Sequence, residues 1–257
     1  MNNFGKFKLL ENEITACDYE FILNKITRAI TNKKRLLISP IASQTLVLAK
    51  ENIKIKTSLD KFDYLVPDSQ WVKRTINWLY GIHLNKRVYG PDLMLQICTF
   101  AQKKKWNIYL YGTNTDTLTK LKYKLLHLFP KLSIVKTEPS KYRDLTKKEL
   151  INLQKSIKKN KADVVFIAIG SPKQELFTTQ LTAQGKMDQV FIPVGAAFDF
   201  ISGVKKQAPS WIGNIGFEWL FRLLQEPRRL YYRYTVTSFR FFLYVSTSML
   251  GKITKRP

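Results

Sequence analysis

ADVVFIAIGSPKQELFTTQ, residues 162–180, sets an unbroken apolar run against a glycine, a Ser-Pro pair and a helical pattern. Val164 to Ile169 is too apolar for a strand with one wet face. It reads as a strand buried on both sides and stopped at Gly170. SPKQELFTTQLTAQ then reads as a helix, with Ser171 as its cap and Pro172 in its first turn. A strand, a glycine turn and a helix make half of a βαβ unit, and the rest of the chain repeats the pattern.

Upstream, LTKKELINLQKSIKKNK is an amphipathic helix with a basic wet face, and LSIVKTE is a strand. TNTDTLTKLKYKLLHLF is a helix that follows the strand WNIYLYG, which ends on Gly112. PDLMLQICTFAQKKK is a helix opened by Pro91, and QWVKRTINWLYG is another, stopped by Gly81. FDYLVPD is a short strand that ends on Pro67 and Asp68. SQTLVLAK is helical, RLLISPI is a strand, and DYEFILNKITRAI is a helix from Asp18. Downstream, QVFIPVGAAFDF reads as a buried strand and turn. The expected class is α/β: a mainly parallel sheet covered by helices on both faces, with ligands at the carboxyl ends of its strands.

The pattern changes after about residue 200. The segment from Ser202 onward has no strand-like spacing and looks like two helices hinged near Pro227. From Lys205 to the end there are ten Lys and Arg but only two acids, Glu218 and Glu226, among many aromatics. Basic residues interleaved with aromatics suit a helix lying on a lipid interface. They equally suit a helical cap packed on the domain. The expected division is a catalytic domain over 1–203 and a helical appendage over 204–257.

Composition narrows the partners. The 257 residues carry 43 Lys and Arg against 19 Asp and Glu, a formal charge of +24, and 45% are hydrophobic. A full core is expected, and the field attracts nucleic acid, anionic lipid or phosphorylated substrates. No groove or stacking signature for nucleic acid is present, so none is expected as a partner. Cys17 and Cys98 stand far apart, which argues against a disulfide framework, and His83 and His127 are too few for a His-rich zinc site. No apolar run is long enough for a signal peptide or a membrane-spanning helix.

Several residues could carry chemistry. Asp68 closes a strand at the expected cleft, where a carboxylate can act as a general base. It can also cap the next helix, the reading that spacing alone favours. GSPKQE leaves backbone amides free at a helix start, an arrangement that favours an anion or merely starts a helix. In it Gly170, Ser171 and Lys173 face the phosphate reading, while Gln174 and Glu175 suit sugar or ribose hydroxyls. The YGTNTD turn at Gly112 is similar. Gly195 in PVGAAFDF makes room for close approach. Asp199, between two phenylalanines, calls for an assigned partner, structural or functional. Arg222, Arg228, Arg229 and Arg233 lie on one helix–proline–helix unit and could grip a diphosphate as bidentate forks. Alternation with Trp219, Phe221, Tyr231 and Tyr232 argues against a purely solvated face. The chain has no Asp-x-Asp triplet, so a leaving diphosphate would be stabilised by amides and basic side chains, without metal or other cofactor.

Taken in order, VPDS, YGPDL (89–93), YLYGTN, IGSPKQE, PVGAAFDFISG, KKQAPSWI and GFEWLFRLLQEPRRLYYRY resemble the WecG/TagA/CpsF glycosyltransferase family (glycosyltransferase family 26). The resemblance implies a Rossmann-like domain with a C-terminal helical appendage. It implies an inverting transferase that moves an N-acetylmannosamine-type sugar, or a related hexose, from UDP to an undecaprenyl-diphosphate-linked sugar in surface polysaccharide synthesis. On that basis Asp68 is the general base, and GSPKQE and PVGAAFDF line the donor pocket. Arg222, Arg228 and Arg229 hold the acceptor diphosphate. The enzyme would sit in the cytoplasm, attached peripherally to the inner face of an anionic membrane. A homo-oligomer stays open, because an apolar strip that docks to lipid can also seal a subunit contact. The sequence departs from the family pattern at Ser69, where Gly is usual, and at Gln207, where Arg is usual. It departs again at Ser39-Pro40, where an Asn-containing segment is common; Ser39, Ser43 or Gln44 would supply the polar contact there.

Overall fold

The computed structural model describes residues 4–183 and 185–253. The chain opens with an antiparallel hairpin of β1 (Gly5–Leu9) and β2 (Asn12–Ala16), followed by α1 (Tyr19–Thr31). β3 (Leu36–Ile41), α2 (Ser43–Glu51), α3 (Ile53–Leu59), β4 (Tyr64–Pro67), α4 (Gln70–Tyr80) and α5 (Gly90–Lys104) come next. Then follow β5 (Asn107–Gly112), α6 (Thr115–Leu128), β6 (Ser133–Glu138), α7 (Lys147–Lys159), β7 (Val164–Ala168), α8 (Lys173–Ala183), β8 (Val190–Pro193) and α9 (Ala197–Ile201). The chain closes with α10 (Ser210–Ile215), α11 (Glu218–Gln225) and α12 (Pro227–Ile253).

Six strands form one parallel sheet in the order β4-β3-β8-β7-β5-β6. Burial on both faces explains the continuous apolar runs. In β7, Val165 and Ile167 enter one core, while Val164, Phe166 and Ala168 enter the other. β5 divides the same way, with Tyr109 and Tyr111 on one side and Ile108 and Leu110 on the other. Phe166 and Phe191 are fully buried, and each contributes roughly 2–3 kcal/mol of burial. The α/β class and the parallel sheet are therefore as the sequence indicates.

Three local readings change. α8 begins at Lys173, so Ser171 and Pro172 precede it, joined by a cis peptide bond. The Ser171 hydroxyl pairs with Thr45 Oγ1 at 2.8 Å. The turn after β8 winds into α9. Downstream of residue 204 there are three helices, with Pro227 starting the longest. Two elements have no counterpart in the sequence reading. α3 (IKIKTSL) alternates Ile and Lys as a strand would, yet it is a helix burying Ile55 and Leu59 and exposing Ile53. The strands of the β1–β2 hairpin are only five residues long and carry Lys6, Lys8 and Glu13, too short and too polar to stand out.

α12 packs on α2. Leu230, Tyr234, Thr237, Phe241 and Val245 recur every three or four residues and are buried. Its other side exposes Tyr231, Tyr232, Phe239 and Leu243. The inner stripe is thus a cap packed on the domain. Among the described residues, no helix is long and apolar enough to cross a membrane.

Candidate active site

A cavity of about 650 Å³ opens at the carboxyl ends of the strands. Its walls include Pro40, Gln44 and Asp68 from the β3 and β4 ends, and Tyr111, Thr113 and Asn114 from the β5 end. Gly170, Ser171 and Gly195 come from the loops after β7 and β8, Lys173 and Gln174 from the start of α8, Asp199 from α9, and Glu218 and Arg222 from α11. A smaller cavity of about 60 Å³ shares Asp68, Glu218 and Arg222 and adds Arg87, Trp71 and Trp219.

Asp68 follows directly on β4. The next helix takes its cap from Ser69, whose hydroxyl accepts from the Val72 amide at 3.2 Å. Asp68 is thereby free of capping, and its Oδ1 accepts the Gly90 amide at 2.8 Å. Burial, above all, pushes its carboxyl up to about 6. Arg87 opposes that shift, Glu218 adds to it, and the Gly90 amide and Arg222 oppose it again. A group so placed is ionised at neutral pH yet basic enough to take a proton. Ser69→Ala should cost about 1 kcal/mol of stability in urea melts with turnover near that of the unaltered protein. A loss of turnover as deep as that from removing Asp68 would show that cap and carboxylate cannot be separated.

The loops after β7 and β8 are tied together. Gln174 Oε1 accepts the Gly195 amide at 3.0 Å, and Gln174 Nε2 donates to Glu175 Oε1 at 3.0 Å. Ser39 also donates to Glu175 Oε1, at 3.2 Å. Ser39 and Glu175 are fully buried and do not line the cavity; they form a polar layer beneath it. Burial raises the Glu175 pKa above the usual carboxylate range. Gly112 does not line the cavity either. A side chain there would put Cβ 2.3 Å from the Ala168 carbonyl oxygen, so glycine is what lets β5 and β7 end side by side.

Asp199 has the partner its setting calls for: Lys205 Nζ lies at 3.1 Å and also bridges to Glu226 at 3.0 Å. Arg222 reaches the cavity wall with its guanidinium over Phe200 and Tyr234, at 5.5 and 5.9 Å from the ring centroids. Arg228 is exposed and away from both cavities. The side chains of Arg229 and Arg233 lie outside the described residues. Among the described residues, no three His, Cys, Asp or Glu side chains gather as metal ligands.

Arg87, Tyr89 and Glu218 are site residues that the reading of motifs passed over. Tyr89 stands in YGPDL, which was a signal; Arg87 and Glu218 meet across 131 positions with no local pattern to join them.

A family model described as Glycosyl transferase WecG/TagA/CpsF family matches residues 7–255. The chain is 30% identical over 171 residues to the N-acetylglucosaminyldiphosphoundecaprenol N-acetyl-beta-D-mannosaminyltransferase of Bacillus subtilis, an alignment covering 66% of this chain and 64% of that protein. It is 29% identical over 184 residues to the protein of the same name from Bacillus spizizenii, covering 70% and 68%. The chain thus spans just under two thirds of the first relative and just over two thirds of the second.

Proposed function

We propose a function for this chain from a plain premise: it belongs to the WecG/TagA/CpsF glycosyltransferase family. The chain transfers a sugar of the N-acetylmannosamine type, or a related hexose, from UDP to a sugar linked to undecaprenyl diphosphate, with inversion. The names of the two Bacillus relatives support the acceptor and the sugar class. The observation that carries the reading is Asp68: a cap-free carboxylate, raised to about 6, on the wall of the strand-end cavity.

In this reaction Asp68 takes the proton of an acceptor hydroxyl as that oxygen attacks the anomeric carbon. The bond to the UDP oxygen breaks on the opposite face. Lys173 and the loop amides at Gly170 and Ser171 stabilise the leaving diphosphate. Gln174 contacts donor hydroxyls. Ser39 and Glu175 act by holding Gln174 and the Gly195 loop in place. Arg222 binds the acceptor diphosphate from the other side. The appendage rests on an anionic bilayer at the inner membrane face. α11 supports that docking, because it has no buried residue and exposes Leu220 and Leu224 beside Phe217.

The test is UDP release from a panel of UDP-sugars with a short lipid-diphosphate acceptor on anionic vesicles. Acceptor-dependent release from one UDP-sugar is expected. No release from any donor would favour a non-catalytic assembly role for the same fold. Turnover in excess EDTA is expected to match turnover without it, and a strict divalent requirement would overturn the amide-and-lysine account of the leaving group.

A further inference from the structure

The two acids of the segment after residue 204 both sit in ion pairs. Glu226 pairs with Lys205, and Glu218 pairs with Arg87. The second contact is the tighter and the better shielded. Arg87 Nη2 donates to Glu218 Oε2 at 2.7 Å, and Tyr89 Oη donates to Glu218 Oε1 at 2.8 Å. Both side chains of the ion pair are only 14% exposed. The carboxylate therefore holds two residues of one short stretch at once, and the Arg87 guanidinium lies over the Tyr89 ring at 4.2 Å.

That stretch is what holds Asp68. Arg87 Nη1 donates to the Asp68 carbonyl at 3.0 Å, and the Gly90 amide donates to its carboxylate at 2.8 Å. Tyr89 is fixed on its other side by its own amide, which donates to Tyr19 Oη at 3.0 Å. Residues 87–90 are thus pinned from above by α11 and grip Asp68 from below.

We propose that Glu218 is a positioning residue: by clasping Arg87 and Tyr89 it makes the geometry of Asp68 depend on the docked state of α11. The base is then correctly aimed only while the C-terminal helices are seated. This rests on the reading of Asp68 as the base. The groups facing Asp68 are Arg87, Tyr89 and the Gly90 amide from the 87–90 stretch, Tyr19 from α1, and Glu218 and Arg222 from α11. Neutralising Glu218 leaves the two arginines unopposed there, which favours the ionised carboxylate.

The experiment compares Glu218→Ala, Glu218→Gln, Tyr89→Phe and Asp68→Asn in the full chain by UDP release, with circular dichroism as the check on folding. Displacing a reacting group by about 1 Å costs about 100-fold, so Glu218→Ala should lower kcat about 100-fold with the donor KM little changed. Glu218→Gln, which can still bridge Arg87 and Tyr89, should recover to within about tenfold of the unaltered enzyme. Its acid limb of kcat/KM should move to lower pH. Tyr89→Phe should lose part of kcat and keep the fold. Full turnover in Glu218→Ala, or an unmoved acid limb in Glu218→Gln, would overturn the proposal while Asp68→Asn remains inactive. Should Glu218→Ala fail to fold, Glu218→Gln and Tyr89→Phe decide on the same criteria. Turnover in Asp68→Asn would overturn the base assignment itself, and this proposal with it.

Discussion

Asp68→Asn is expected to abolish sugar transfer, by about 1000-fold or more, while leaving a protein at least as stable as the original. General-base catalysis contributes about 100- to 10,000-fold, and asparagine keeps the shape and the bond from the Gly90 amide but cannot accept a proton. The stability half follows from linkage. The folded carboxyl titrates at about 6, above its unfolded value of about 4. The folded state therefore binds the proton more tightly, and stability falls as pH rises through that window. Above pH 6 the ionised carboxylate is a standing cost, which asparagine removes. In the unaltered enzyme, kcat/KM should climb through the same window as the base deprotonates. Near-normal turnover of Asp68→Asn, or a collapse of its melting temperature, would contradict the assignment.

Arg222→Ala should damage use of the acceptor far more than binding of UDP. The guanidinium is the basic group that α11 brings to the wall shared by both cavities, and Phe200 and Tyr234 fix its plane. A partly desolvated fork of this kind binds phosphate oxygens in pairs. Its loss should raise the acceptor KM about 100-fold, equivalent to about 3 kcal/mol. UDP affinity measured by calorimetry should stay within about threefold. Arg222→Lys should restore little, since an ammonium cannot make the paired contact. Arg228→Ala, which removes an exposed side chain, should have the smaller effect on the same assay. Equal losses for both ligands would place Arg222 with the donor instead.

The parallel sheet was legible because strands buried on both faces must be written as apolar runs, and those runs end where the loops of the site begin. Asp68 was legible as a position but not as a role. Aspartate and serine both cap helices, and VPDS puts them side by side; only the bond from the Val72 amide to Ser69 decides which one does it. Ser39 and Glu175 looked like donor contacts for a good reason, being polar residues in motifs near the carboxyl ends of β3 and β7. Their pairing spans 136 positions and leaves no trace in either local sequence. The same holds for Arg87 and Glu218. Pairs that meet only through tertiary packing are where sequence reading stops, and in this protein one such pair, Arg87 with Glu218, flanks Asp68. The appendage was legible in its basic and aromatic composition, while its inner stripe emerged only when α2 was seen beneath it.

The place of β8 in the sheet has a consequence for the protein's synthesis. β3 and β4 pair with each other, as do β5, β6 and β7, and the two groups share no strand-to-strand hydrogen bonds except through β8. β8 is also the last strand of the sheet to leave the ribosome. Until Val190–Pro193 has been made and inserted, Asp68 belongs to one half-sheet and Lys173 to another. A nascent chain stopped before residue 190 would hold the walls supplied by the ends of β3, β4, β5 and β7 but lack Gly195, Asp199, Glu218 and Arg222, and so have no active site. Domains generally fold as units during synthesis; here the unit closes from its centre, with one four-residue strand as its keystone.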